Sequence, residues 1–540
     1  MIKIVKCMKI SPVLLYTIIV SLGGFIFGFD ASVISGTANY LTSEFQLSDI
    51  QLGFVFSAPT LGAIIATLSA GVLSDVFGRR YLLRIIAFLY LISAIASAFS
   101  PTYELLVIAR FVGGLAFCSL MVAPMYIAEI SPPEKRGKMV SVNQLNIVVG
   151  FSAAYFANYY LLQASQTTAD WVITLGIDTN TWRWMLGLEI IPALLWFGLL
   201  FTIPRSPRWL ALKHKDEEAQ AVLNTLHGGD SKRSYEDEII QIRESIKGQN
   251  TSILHSLRFL FSNKMRFALV VGLIVSIAQQ ITGINTVFFY APSIFEQSGV
   301  GTNAAFAQAI LVGLINVLFT VVAMYFIDKW GRKPLLVVGL SGVVISMACI
   351  SYGFNQATYK LESADITEIV EQHPKLSDIA TIQDIEYDSD VAFKNAVIDS
   401  VGKPEFNEAQ GLVLSLAGNL NATIILVGIL GFVASFAVSL GPVMWVMFSE
   451  IFPNHIRGVA ISFVGVINSM VSFTVTLVFP WELANWGAAT VFFIYGAFAA
   501  IGLILVAKLF PETKGKSLEA LEAELTTKSG GTDKASGAVA

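Results

Sequence analysis

Residues 129–137 read EISPPEKRG, and residues 450–458 read EIFPNHIRG. Glu, Ile, Pro, Arg and Gly return at the same spacing, so the two stretches are copies of one motif. A second pair, DVFGRR at 75–80 and DKWGRK at 328–333, repeats in the same order. The two offsets, 321 and 253 residues, differ by 68, close to the length of an acidic stretch at 355–418 that interrupts the second copy. Between the motifs the chain is apolar. Of its 540 residues, 54% are hydrophobic and 14% charged, against about 25% charged in soluble domains. At about 20 apolar residues per crossing of a ~30 Å hydrocarbon core, spans fall near 12–38, 52–73, 82–99, 103–126, 139–163 and 184–203. A second set falls near 267–297, 305–327, 335–354, 421–448, 459–479 and 486–509. The expected fold is an all-α membrane protein with twelve transmembrane helices in two pseudo-symmetric six-helix bundles, residues 1–203 and 267–509. Parallel repeats of this kind place a substrate site at their interface near the bilayer midplane, and rocking of the halves alternates its access.

Charge placement orients the chain. With the N-terminus inside, 29 of the 35 Lys and Arg fall in cytoplasmic segments and five outside, Arg183, Lys360, Lys375, Lys394 and Lys403, with Arg110 in a span. Short loops rich in Lys and Arg stay in the cytoplasm, so both termini are expected there. Lys3, Lys6 and Lys9 precede a first span that no cleavage site follows, which reads as a retained span rather than a signal peptide. Residues 204–266, with the helical run DEEAQAVLNTLH, are expected to form a cytoplasmic helical linker domain, and 510–540 a cytoplasmic tail. The insertion 355–418 lies outside and holds twelve Asp and Glu against four Lys; it is either a solvated insertion or a lid or docking element. A net charge of -4 gives no sign of a nucleic-acid partner. Cys7, Cys118 and Cys349 have no metal-ligand spacing and imply neither a disulfide framework nor a metal site.

Carboxamides at depth mark the cavity, because each costs free energy in lipid unless it finds a partner. At ~1.5 Å rise per residue, Gln279 and Gln280 lie ~18 Å into the seventh span, Asn316 ~16 Å into the eighth and Asn468 ~14 Å into the eleventh. Asn285 and Tyr290 follow Gly283, where the seventh helix can unwind, and Gln144 sits shallower on the fifth. Amides donate and accept as sugar hydroxyls do, so their convergence suits a neutral polyol, with Trp445 as an apolar platform. Three ionisable residues, Asp30, Arg110 and Glu189, lie at similar depth in the outer half of their spans. Desolvation favours a neutral carboxyl there and a nearby Arg favours a charged one, so Asp30 is poised to bind and release a proton. A permanent Asp30–Arg110 bridge is the structural alternative. At the inner face Glu129, Arg136, Glu450 and Arg457, with Arg80, Arg332 and Glu512, are expected to form a gate, paired across the halves when the cytoplasmic side is closed and separated when it opens.

These motifs resemble the sugar porter family of the major facilitator superfamily over nearly the whole chain apart from 355–418. The marks are FGFDASVISG at 27–36, GRR at 78–80, RGKMVSVNQ at 136–144, SPRWL at 206–210, QQITGIN at 279–285, GPVMW at 441–445 and PETKG at 511–515. The resemblance implies the major facilitator fold and a sugar site of Gln144, Gln279, Gln280, Asn285, Asn316, Trp445 and Asn468. Tyr290, on the outer half of the seventh span beyond Gly283, is the expected outer gate. Asp30 resembles the proton-coupling aspartate of bacterial xylose symport, with Arg110 and Glu189 in matching positions, whereas passive glucose facilitators usually carry an amide there. The chain also departs from the family. Arg205 stands before SPRWL where Glu is common, Leu440 and Ser469 replace frequent tryptophans, and Val76 stands where Arg is frequent. Two aromatic walls of the pocket are therefore gone, and hexose or pentose preference does not carry over.

The expected function is secondary active import of a monosaccharide, hexose or pentose, by proton symport through alternating access. The expected partners are the sugar, the proton and the lipid bilayer, with no cofactor and no metal. A monomeric multi-pass protein of the plasma membrane is expected, by resemblance in a bacterial inner membrane. The alternatives are a passive facilitator of the same fold and a sodium-coupled symporter. A non-transporting sugar sensor would signal through a tail that after Lys508 is short and ends in the low-complexity KSGGTDKASGAVA. An enzyme is not expected, since no nucleophile with its base, catalytic carboxylate pair or phosphate-cradling loop stands out.

Overall fold

The computed structural model describes residues 11–132, 135–226, 239–240, 253–453 and 456–516. Lys3, Lys6, Lys9 and Cys7, much of the linker between 226 and 253, and the tail beyond 516 lie outside the described residues. Among the described residues, ten helical segments are long and apolar enough to cross a membrane. The last, Arg457–Leu509, runs 53 residues, about 80 Å at 1.5 Å per residue and far beyond a ~30 Å core. It turns at Gly487, whose φ and ψ are 77° and 160°, and so supplies the eleventh and twelfth spans. The sixth is too broken to count by length alone, since helices Thr181–Gly187 and Ile190–Leu199 meet at Glu189. Twelve crossings result.

The seventh span is divided as well, into Arg266–Ile281, Ile284–Phe289 and Ala291–Gln297, with Gly283 left-handed at φ 80°. The tenth breaks at Ser439 into Ala422–Val438 and Leu440–Ile451. These interruptions leave backbone groups and side-chain amides facing the interior rather than lipid, the condition under which irregular backbone is tolerated at membrane depth.

The insertion is a folded cap. Thr358–Tyr359 pairs antiparallel with Gly418–Asn419 and draws its two ends together. Four helical segments then close over a core that includes Leu361, Ile369, Phe393 and Val413, each fully buried. Its acidic residues remain on the outside of that core. Lys394 is buried, donates to Gln297 at 3.1 Å and pairs with Asp390 at 3.0 Å. Asp390 also accepts from the backbone N–H of Ala488 at 3.5 Å, at the start of the twelfth span. Lys403 reaches the other bundle and pairs with Asp49 at 3.1 Å.

Candidate functional site

The amides at depth hydrogen-bond to one another. Gln280 donates to the side-chain oxygens of Asn468 at 3.0 Å and Gln279 at 3.2 Å. Asn468 donates to Gln279 at 2.8 Å and to the Ser276 carbonyl at 3.0 Å. Asn285 donates to Gln280 at 3.0 Å and to Ser472 at 2.7 Å, and Gln279 donates to the Leu440 carbonyl at 3.2 Å. Ser472, one turn beyond Asn468, belongs to this network although sequence reasoning passed over it; the four-residue spacing from Asn468 was the available signal. Asn316 is buried on the eighth span, Gln144 half-buried on the fifth, and Trp445 is 48% exposed with its ring edge on Phe448. Among the described residues no hydrogen bond ties these three to the network. The amides therefore satisfy one another, and a polyhydroxylated ligand would exchange those bonds for its own at little desolvation cost.

Asp30 and Arg110 form an ion pair between the first and fourth spans, each at most 2% exposed. Glu189, equally buried at the break in the sixth span, faces both. Among the described residues, one oxygen of each carboxylate, Asp30 Oδ2 and Glu189 Oε1, has no hydrogen-bond partner. Asp30 alone pairs directly with Arg110, with Glu189 close enough to feel both charges, and two ionised carboxylates near one another repel. A route of packed rings leads from this cluster to the amides. Phe27, one turn before Asp30, meets Phe151 at 6.3 Å, and Phe151 meets Phe288 at 4.9 Å on the segment that carries Asn285.

The two bundles close on each other at the end that carries the insertion. Tyr290 stacks on Phe56 of the opposite bundle, with ring centroids 4.4 Å apart and planes within 10°. It packs on Phe479 and donates to the Thr476 carbonyl at 3.4 Å. Tyr155 donates across to the Phe288 carbonyl at 2.6 Å, and Asn39 to Glu296 at 2.8 Å. Gly53 allows the closest backbone approach, since a Cβ there would lie 1.9 Å from the Leu477 carbonyl oxygen. At the opposite end, among the described residues, no side-chain hydrogen bond, ion pair or ring contact joins the bundles. The site is shut toward the insertion.

With the bundles apart at that opposite end, the charges there pair within each half. Glu129 pairs with Arg79 at 3.0 Å, and Glu450 with Arg332 at 2.8 Å, each within its own bundle. A hydroxyl completes each pair: Ser206 donates to Glu129 at 2.5 Å and Thr513 to Glu450 at 2.7 Å. The cause is a tight turn before each arginine. Gly78 and Gly331 sit at φ 83° and 93°, where a side chain is strained, and they start the next helix against the end of the fourth or tenth span. Laying DVFGRR on DKWGRK matches Arg79, not Arg80, to Arg332, a register already present in the sequence. Arg80 instead donates to the Phe201 carbonyl at 3.1 Å. Glu512 accepts from the backbone N–H groups of Arg332 and Lys333, both at 3.1 Å, where a carboxylate suits a helix N-terminus. Arg136 and Arg457 donate to the Ala128 and Phe452 carbonyls at 3.0 and 3.1 Å.

This geometry has relatives. The family model described as Sugar (and other) transporter matches residues 16–370 and 410–525, and the gap falls inside the insertion. The chain is 33% identical over 513 residues to the arabinose-proton symporter of Bacillus subtilis, with 94% of each chain covered. It is also 33% identical over 540 residues to the D-xylose-proton symporter of Escherichia coli, again with 94% of each covered. The inward open conformation of the E. coli xylose transporter superposes with a TM-score of 0.71 at 31% identity, covering 95% of this chain and 99% of that one. Its partially occluded inward open form gives 0.68 at 30% identity. The repeat, the fold and these likenesses together place the chain in the Sugar (and other) transporter family, the sugar porters of the major facilitator superfamily.

Proposed function

We propose that the protein imports a monosaccharide together with a proton by alternating access. The observation that carries this is the buried Asp30–Arg110 pair with Glu189 beside it. A carboxylate held by an arginine in the conformation shut toward the insertion corresponds to the carrier after its proton has left. Protonation would release Arg110 from Asp30, and Glu189 stands ready as its alternative counter-charge. The symporters among the relatives support proton coupling, their arabinose and xylose substrates support a pentose cargo, and the glucose transporters that also match support a hexose.

The assigned roles are these. Gln279, Gln280, Asn285 and Asn468, joined by Ser472, take the sugar hydroxyls on the C-terminal bundle, with Gln144, Asn316 and Trp445 as further walls. Asp30, Arg110 and Glu189 carry the proton, and Tyr290 closes the outer side on Phe56. The pairs Arg79–Glu129 and Arg332–Glu450 brace each bundle at the inner end, with Arg80, Arg136, Arg457 and Glu512 beside them. Residues 1–203 and 267–509 are the moving bundles, 204–266 the linker, 355–418 an outer cap and 510–540 the tail. The surplus of Lys and Arg on the linker side supports a cytoplasmic assignment for that side and both termini, and the bacterial relatives support an inner-membrane location. One chain holds the whole site, so a monomer suffices.

Uptake of labelled xylose, arabinose and glucose into proteoliposomes under an inward proton gradient tests this. Accumulation above equilibrium that a protonophore collapses is expected. Equilibration indifferent to the protonophore would make the protein a passive facilitator and Asp30–Arg110 a structural bridge, and accumulation that follows a sodium gradient instead would replace the proton.

A further inference from the structure

The linker end of the N-terminal bundle carries a charge pattern that neither the sugar site nor the proton cluster uses. The turn between the second and third spans and the segment after the sixth enclose a cleft of about 320 Å³, within the ~300–1,000 Å³ of small-ligand pockets. Arg80, Arg84 and Arg205 line it with Tyr81 and Trp209. Arg79 at its wall is already neutralised, with Asp75 at 2.9 Å and Glu129 at 3.0 Å. Among the described residues, Arg80 and Arg84 pair with no carboxylate. They donate to the Phe201 and Leu200 carbonyls at 3.1 and 3.2 Å, and Arg84 lies 4.3 Å over the Phe201 ring. Arg205 has Glu218 at 3.0 Å but shares it with Lys215 at 2.9 Å. Burial, with the like charges of the neighbouring guanidinium groups, lowers the proton affinity of Arg80 and Arg84.

The rim is apolar. Val76, Phe77, Tyr81 and Phe201 are about half exposed at the ends of membrane spans. We propose that the cleft binds the phosphate-bearing headgroup of an anionic phospholipid, with guanidinium groups on the phosphate oxygens and acyl chains along Phe77, Tyr81 and Phe201. The fork of a guanidinium matches two phosphate oxygens, and basic pockets at the cytoplasmic ends of membrane helices take anionic headgroups. A soluble phosphate would use the same cations but leave the apolar rim without a role.

Native mass spectrometry of the full-length protein, titrated with phosphatidylglycerol or phosphatidylcholine and challenged with millimolar inorganic phosphate, tests the assignment. One phosphatidylglycerol is expected to be retained in preference to phosphatidylcholine and to resist phosphate. Arg205→Gln, at a half-exposed side chain that the fold does not need, should weaken retention about fivefold, and Arg84→Gln with Arg205→Gln about 30-fold. Arg84→Lys should restore most of the Arg84 contribution, which separates lost charge from lost folding. Equal retention of both lipids, or retention unchanged in the double variant, would overturn the site. Displacement by inorganic phosphate would reassign it to a soluble anion and overturn the lipid.

Discussion

Replacing Asp30 by an amide tests the coupling mechanism most directly. One proton per sugar lets each unit of pH gradient contribute ~1.36 kcal/mol, a tenfold accumulation at equilibrium. The carboxamide of Asp30→Asn cannot give up a proton, so accumulation should fall from about tenfold to unity while sugar exchange across the liposome survives. The stability effect can be worked from the same cluster. Neutralising one partner of a buried ion pair generally costs about 3–5 kcal/mol because the other charge is left buried and uncompensated. Here Glu189 faces the same arginine with one oxygen free, so Asp30→Asn alone should lose well under that amount. Asp30→Asn with Glu189→Gln removes both facing carboxylates and should show the full loss of about 3–5 kcal/mol. Proteoliposome uptake and counterflow read the first effect, and thermal unfolding in detergent the second. Accumulation retained by Asp30→Asn, or a double variant no less stable than the single one, would refute the assignment.

Asn468→Ala removes hydrogen bonds to Gln279, Gln280 and the Ser276 carbonyl; at about 1 kcal/mol net for each bond the sugar site loses, the half-saturating sugar concentration in counterflow should rise tenfold or more. Gly53→Leu drives a side chain into the Leu477 carbonyl, and an overpacking cost of about 1–3 kcal/mol should hold the outer end open, seen as labelling of a cysteine placed below Tyr290; unchanged labelling would count against closure at that point. The two lysine pairs of the cap should differ sharply. Lys394→Met breaks a pair about one-tenth exposed and should cost about 3 kcal/mol of stability, whereas Asp49→Asn breaks a largely solvated one and should cost no more than about 1 kcal/mol.

Much of the architecture was legible in the sequence because the membrane makes it so. Apolar runs of one length can only be spans, and an amide or carboxylate within such a run is expensive enough to be noticed. The repeated motifs announced two like bundles, and the spacing of QQITGIN marked a helix that breaks at Gly283. Partner choice was not legible. Whether Glu129 pairs with Arg79 or Arg80, and inside its bundle or across, depends on the turn at Gly78 and on which helix ends it brings together. Glu512 carries the same lesson, since its partners are backbone amides that have no letter in the sequence.

The sequence by itself determined the twelve crossings, the two-fold repeat, the family and the residue types that can meet a sugar and a proton, because each follows from local transfer energies and motif spacing. Only the tertiary structure decided that the amides satisfy one another through Ser472, that the charges at the linker end pair within each bundle, that the insertion is a folded cap and that the end carrying it is shut. Those facts depend on which helix faces oppose each other in three dimensions, and hydrogen bonds and ion pairs reach only a few ångströms, whatever the distance along the chain.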